Sequence, residues 1–426
     1  MQTIVKLRIA FVSGVAGLMW LSGPAIGAGP ITLAEAQRRA LEIAPQVAGQ
    51  NAAIRASREM AIAAGHRPDP QLKLGVDNLP INGPDRFSLG NDFMTMRRIG
   101  VMQEFTRSDK LARRSERYER EAEKSEAELQ AAIATVQRET AIAWLEGYYA
   151  EAMANAIVEQ RTQSLREAEA AEAYYRAGRG GQADVFAARG AVVMLEDRVS
   201  EAQRRIATAR SALARWIGAA ANEPLSGKPS FDRIPDELLH EHVLLEHHPE
   251  IQAAMKAEQV ALADARIAEA NRRPDWTWEL AYSRRGSAFS DMVSIGVSVP
   301  LPWDRAHKQD REVAAKLALT EQASAQREEV LRMHTAEVKI MVAEWRNGVE
   351  RRRRLETELL PLTGERTQAA LGAYRGGKST LTDVLVARRS ELDVRLQILQ
   401  LELDTARTWA KLNFLFPLDP EAKDPK

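Results

Sequence analysis

Hydrophobic and polar positions along this chain follow two spacings. Most of its length repeats near every 3.6 residues, and four short segments repeat every second residue. Thr32 with Glu35 has the form of a capping box and opens a helix that meets Pro45 and resumes to about Gly65. A later helix runs from about Asp236, meets Pro249 and ends before Pro274. Two far longer helices start near Asp109 and Asp304, each with the Asp as N-cap, and continue without a breaker to about Ala177 and Tyr374. At 1.5 Å per residue such rods are about 100 Å long. No single soluble core accounts for that length. Glycines at Gly178, Gly180 and Gly181, and at Gly376 and Gly377, then predict tight reversals into following helices.

The period-2 segments are expected at about 70–79, 92–106, 275–285 and 290–301. Leu72, Leu74 and Val76 alternate with Lys73, Gly75 and Asp77, and Trp276, Trp278, Leu280 and Tyr282 alternate with Thr277, Glu279, Ala281 and Ser283. Ile99, Val101 and Phe105 oppose Arg98, Gly100 and Glu104, and Val293, Ile295, Val297 and Val299 oppose Ser294, Gly296 and Ser298. An ordinary half-buried sheet has this pattern, and so does a barrel strand with lipid outside and water inside.

The chain also repeats itself. Tyr175 and Tyr374 stand 199 residues apart, as do Asp184 and Asp383, and the surrounding Ala-Tyr…Gly and Asp-Val…Ala-Arg runs recur with them. Pro45 returns as Pro249, Arg67-Pro68-Asp69 as Arg273-Pro274-Asp275, and Ile99-Gly100-Val101 as Ile295-Gly296-Val297. The expected division is a leader at 1–28, a first repeat at 29–225, a linker at 226–235, a second repeat at 236–416 and a tail at 417–426. Each repeat reads helix, strand, strand, long helix, helix.

Composition narrows the class. Among 426 residues, 59 Lys+Arg balance 59 Asp+Glu, so nucleic acid is not an expected partner. The absence of Cys removes disulfides, thiolate chemistry and an acylated amino-terminal Cys, so the protein is expected not to be lipidated. Lys6 and Arg8, the apolar stretch Ile9 to Leu21 and small residues around Ala28 read as a cleaved secretory leader. After it, no apolar run is long enough to span a membrane as a helix, so a crossing would have to be made of strands. Strand edges are not tolerated in lipid and the smallest membrane barrels have about eight strands, so four strands cannot close alone. Three copies would supply twelve, wide enough for a polar interior, with the long helices continuing the cylinder. No nucleophile with a paired base, phosphate loop or complete metal triad marks an enzyme.

With these residues in hand, the chain resembles the TolC-like outer-membrane efflux family. The resemblance rests on the duplicated two-strand unit and on tips of the form Tyr374-Arg375-Gly376-Gly377 followed by Asp383-Val384-Leu385. It implies a mainly α protein with a membrane β-barrel portion: a trimer whose 12-stranded barrel continues as a periplasmic α-barrel. It further implies a passive conduit in the outer membrane, extending into the periplasm, without cofactor. Its partners would be a periplasmic membrane-fusion adaptor, an inner-membrane RND-type pump and outer-membrane lipid.

In that family the hairpin tips form the closed mouth. By position, Tyr175, Gly178 and Asp184 of one tip and Tyr374, Gly377 and Asp383 of the other become the gate residues. Each Asp has an alternative as a helix N-cap. Ser379 and Val386 depart from the tip Arg and second acidic residue of some members. Arg67-Pro68-Asp69-Pro70 to Asn78-Leu79-Pro80 is most similar to heavy-metal resistance members, which makes metal cations the first expected cargo. Organic toxicants come second and type I secretion third; a coiled-coil adaptor is the alternative class.

Metal donors are sparse. Within the His240, Glu241, His242, Glu246, His247, His248 cluster, only His242 and Glu246 have the i, i+4 spacing to share an ion on a helix, the alternative being solvated polar residues. Met94, Met96 and Met102 fall on one strand face, where thioethers suit soft ions or simply fill space. Arg351 to Arg354 read as a solvated helix face.

Overall fold

The computed structural model describes residues 29–235 and 247–418. The expected leader, the start of the second repeat with His240, His242 and Glu246, and most of the tail lie outside the described residues.

Each repeat contains a helix that starts at a proline, Pro45 in the first and Pro249 in the second. α1 (Leu33–Ile43) begins where Thr32 Oγ1 accepts the Glu35 N–H at 3.3 Å. The reciprocal half of the expected capping box is absent, because Arg38 and Arg39 take the Glu35 carboxylate at 2.7 and 2.6 Å. α2 (Pro45–Ala64) follows with Pro at its first position, where a missing N–H costs nothing.

The strands β1 (Gln71–Asp77) and β2 (Met96–Phe105) come from the first repeat. Later in the chain, α5 (Pro249–Ala270) leads to β3 (Trp276–Arg284) and β4 (Met292–Ser298). All four pair antiparallel in one sheet of order β1-β2-β3-β4, with β1 and β4 as open edges. Register turns the period-2 pattern into rows: Leu72, Val101, Leu280 and Ile295 are direct neighbours across the sheet, and so are Leu74, Ile99, Tyr282 and Val293. This face is uncovered, with Leu74 at 71% and Ile295 at 78% exposure. The opposite face is polar. There Lys73 and Arg98 both reach Glu279, at 2.9 and 2.5 Å. Met96 and Met102 share that face, but Met94 lies ahead of the strand, so the expected methionine trio does not form.

From the sheet the chain enters α3 (Ser108–Arg176), whose 69 residues span about 100 Å. Its N-cap is Arg107 rather than the expected Asp109, which turns instead to Arg107 Nε at 3.1 Å. The carboxylate closing this end comes from the other repeat: Asp275 accepts the Arg107 N–H at 3.2 Å and the Lys110 ammonium at 2.9 Å. α4 (Gln182–Ile217) runs back along α3.

The second long rod also departs from expectation. α6 (Gln309–Arg354) begins five residues after Asp304 and carries Lys308 at its N-cap. Asp304 instead accepts from His307 in the preceding turn. The rod is interrupted by a π-helical turn at Leu355–Leu359 before α7 (Leu360–Arg375), and α8 (Leu381–Asn413) returns. Pro361 explains the interruption. It has no N–H for the Thr357 carbonyl, so the hydrogen-bond ladder slips by one residue instead of breaking.

Where the two repeats meet, Trp144 is fully buried and donates to Ile31 O at 3.1 Å. Trp345 plays the matching part in the second repeat, donating to Phe231 O at 2.8 Å. Arg352 does not belong to a solvated face. It pairs with Asp232 of the linker and lies over the Phe231 ring at 5.0 Å, while Arg351, Arg353 and Arg354 are exposed.

Candidate functional site

The two helical hairpins end side by side. At the first tip the Gly178 N–H bonds to Tyr175 O at 2.9 Å and the Arg179 N–H to Tyr174 O at 2.9 Å. At the second, the Gly377 N–H bonds to Tyr374 O at 3.0 Å and the Lys378 N–H to Ala373 O at 2.8 Å. These are matching Schellman closures, and Gly178 and Gly377 both take φ of 71°, a left-handed conformation that penalises any Cβ. Sequence identity at an offset of 199 thus reappears as identical backbone geometry.

An apolar cluster fuses the tips. Ala171, Val185 and Ala188 from the first hairpin pack with Leu381 and Val384 from the second, and Tyr374 lies against them. Burial raises the Tyr374 phenol above its ordinary range, and the nearby Asp184 carboxylate adds to the rise. Tyr174 and Tyr175 are about half exposed.

Neither Asp is the N-cap of its helix. Gly181 occupies that position in α4 and Thr380 in α8. Asp383 is instead the third helical residue of a complete capping box. Its Oδ2 accepts the Thr380 N–H at 3.0 Å and the Thr380 hydroxyl at 2.9 Å, while Thr380 Oγ1 accepts the Asp383 N–H. Those donors hold the Asp383 carboxyl below the usual carboxylate range. Ser379 donates its hydroxyl to Ala370 O at 3.5 Å, and Val386 is exposed.

One cross-repeat ion pair escaped the sequence. Arg388 of α8 meets Glu167 of α3 at 2.7 Å and Gln163 at 3.0 Å, and both ionic partners are mostly buried. Its repeat counterpart Arg189 also reaches α3, pairing with Glu172. The duplicated Ala-Arg was visible in the chain; that both arginines grip the same helix was not.

Far from the tips, His248 is buried, at 3% exposure, against His334 with ring centroids 4.3 Å apart. His248 Nδ1 accepts the Glu250 N–H at 3.3 Å, and His334 Nε2 lies 2.8 Å from Glu250 Oε2. Burial pushes the His248 imidazole down to about 4, and neighbouring His334 acts in the same direction. His248 is thus a buried helix cap, not one of a set of solvated polar residues. Among the described residues no group of three or more His, Cys, Asp or Glu could hold a metal ion.

Residues 242–416 match the family profile described as outer membrane efflux protein. Over these residues the chain is similar to outer membrane efflux proteins. The profile match lies within the second repeat, and structural likeness over about 90% of the chain shows the same fold for both repeats. The chain is similar to the outer membrane protein VceC from Vibrio cholerae, with a TM-score of 0.73 and 21% identity over 90% of this chain and 95% of that one. It is likewise similar to CusC, a transmembrane channel protein, with a TM-score of 0.75 and 16% identity over 90% of this chain and 92% of that one. Among curated proteins it is similar to the cobalt-zinc-cadmium resistance protein CzcC of Cupriavidus metallidurans, 26% identical over 63% of this chain. That match spans 65% of the length of CzcC. The family and the structural neighbours are outer-membrane channel proteins, not enzymes.

Proposed function

We propose that this chain is the outer-membrane channel subunit of a tripartite efflux system, a passive trimeric conduit whose cargo is divalent heavy-metal cations. The observation that carries the reading is the four-stranded sheet: the apolar rows Leu72, Val101, Leu280, Ile295 and Leu74, Ile99, Tyr282, Val293 face outward, and both edge strands keep their ladder groups unpaired. In lipid such edges cost several kcal/mol per unsatisfied group, and three sheets joined edge to edge remove all of them. The polar face, with Lys73, Arg98 and Glu279, then lines a water-filled interior.

On this reading the hairpins project into the periplasm, where their tips form the mouth that meets an adaptor and an inner-membrane pump. Tyr374, Asp184 and Asp383 are the proposed gate residues; Tyr175 flanks them, and Gly178 and Gly377 shape the turns. The likeness to CzcC supports cobalt, zinc and cadmium as cargo. Deleting the gene and measuring growth on Co, Zn, Cd, Cu and Ag salts beside a drug panel tests this. The expected result is sensitivity to the divalent metals, whereas sensitivity confined to drugs would replace the metal cargo with organic toxicants.

A further inference from the structure

The outward-facing rows of the sheet change character abruptly at one end. Beyond the row Leu74, Ile99, Tyr282 and Val293, the next position on the same face pairs Val76 with Arg97 and Arg97 with Arg284. Both arginines are exposed. Arg97 donates from Nη2 to Arg285 O at 3.2 Å, and neither Arg97 nor Arg284 forms an ion pair with a described residue. Asp291, in the turn that leads into β4, accepts from the Tyr282 hydroxyl. Arg285 is committed to its own loop, donating to Ser290 O at 2.8 Å and lying over Phe289.

Depth explains why two unpaired cations belong on an apolar face. At the helix end of the sheet the face starts with an aromatic stack, Phe105 on Trp276 with centroids 4.5 Å apart. From Trp276 to Arg284 the strand rises eight residues, which at about 3.4 Å each and a tilt of roughly 35–45° is about 20 Å of depth, close to the roughly 25 Å apolar band of membrane barrels. The aromatic pair therefore marks one interface and the arginines the other. Because the helices leave from the aromatic end, the arginine end is the outer leaflet. A guanidinium there meets head groups, and its planar fork matches phosphate oxygens.

We propose that Arg97 and Arg284 form a binding site for the phosphate groups of an outer-leaflet lipid, repeated once per subunit around the rim of the barrel. The occupant is a phosphorylated, multiply acylated lipid of the lipid A type: its acyl chains cover the Leu74, Ile99 and Val293 row while its phosphate accepts from both arginines. The site rests on the barrel reading above, and its test separates the two.

Protein purified in detergent is first checked for a trimer and a sheet signal; a wild-type protein lacking both would overturn the barrel and this site together. Given the trimer, native mass spectrometry follows titration with diphosphoryl lipid A, the same lipid with its phosphates removed, phosphatidylglycerol and inorganic phosphate. The expected result is retention of diphosphoryl lipid A, at least tenfold weaker retention of the phosphate-free lipid, and no binding of inorganic phosphate, which lacks the acyl chains. Arg97→Ala with Arg284→Ala should lower retention about tenfold while leaving the trimer intact, since one charge-assisted contact is lost at each position. Arg97→Lys with Arg284→Lys should retain more than the alanine pair. Equal retention of phosphate-free lipid by the wild-type trimer would overturn the proposal without reference to any variant, and so would equal retention by the alanine trimer.

Discussion

Single residues decide how the ends of these helices are held. At Asp383 a carboxylate that sequence position offers as a gate residue is already engaged by two donors from Thr380. If it also faces the trimer axis, Asp383→Ala should raise single-channel conductance in planar bilayers, and Asp383→Asn, which keeps acceptor geometry but not charge, should raise it as well. An unchanged conductance in both would leave Asp383 a capping residue alone. Thr380→Ala, by contrast, should cost about 1 kcal/mol locally through the lost cap, read as faster amide exchange in the first turn of α8. His248 gives a residue-scale pH dependence. Its imidazole caps α5 through an unprotonated Nδ1, and its folded-state pKa of about 4 lies below the ordinary 6.5. The unfolded chain therefore binds the proton more readily, so this contribution is complete above pH 6.5, declines as the pH falls toward 4 and is gone below that. Thermal melting of wild type and His248→Asn between pH 7.5 and 4 should show a shallower acid loss in the variant. Parallel curves would count against this role.

At the scale of elements, the paired tips and the interrupted rod carry the argument. Gly178 and Gly377 occupy the same left-handed position in the two hairpins, so alanine at either should cost about 1 kcal/mol. The apolar cluster joins both tips, and loosening one should loosen the other. Limited proteolysis should then show cutting at both tips in either single variant, and cutting confined to the mutated tip would show that they are independent. The tips were legible in the sequence because glycine and Asp-Val recur at a fixed offset. The π-helical turn ahead of Pro361 was not. A proline inside a long rod allows a kink, a break or a slipped ladder, and packing selects among them. The N-cap of α3 was missed for a related reason: Asp275, which closes it, is remote in sequence and reaches Arg107 only after the sheet has formed.

For the whole molecule the open sheet is the decisive object. A chain with four strands, exposed apolar rows and two unpaired edges should be found in detergent at about three times the 47.3 kDa chain mass. Replacing Ile295 with Lys on the outward face should lower the trimer yield, because a cation near the middle of the lipid band costs about 2–4 kcal/mol per subunit. Heat-modifiable mobility on gels and cross-linking measure both outcomes. A wild-type protein that is monomeric and water-soluble would remove the channel reading.

The sequence by itself determined what depends on neighbours along the chain: helix against strand by hydrophobic period, the duplicated unit by landmarks that recur in the same order, and the glycine reversals. Even the four-strand shortfall was readable, since closure is a matter of counting. Tertiary structure decided which distant groups meet. It set Asp275 on α3, Arg352 on the linker, Arg388 on Glu167 and His248 on His334, contacts whose partners no local rule selects. It also turned alternation within single strands into continuous rows, because the apolar face of a sheet exists only once register has fixed which residues stand side by side.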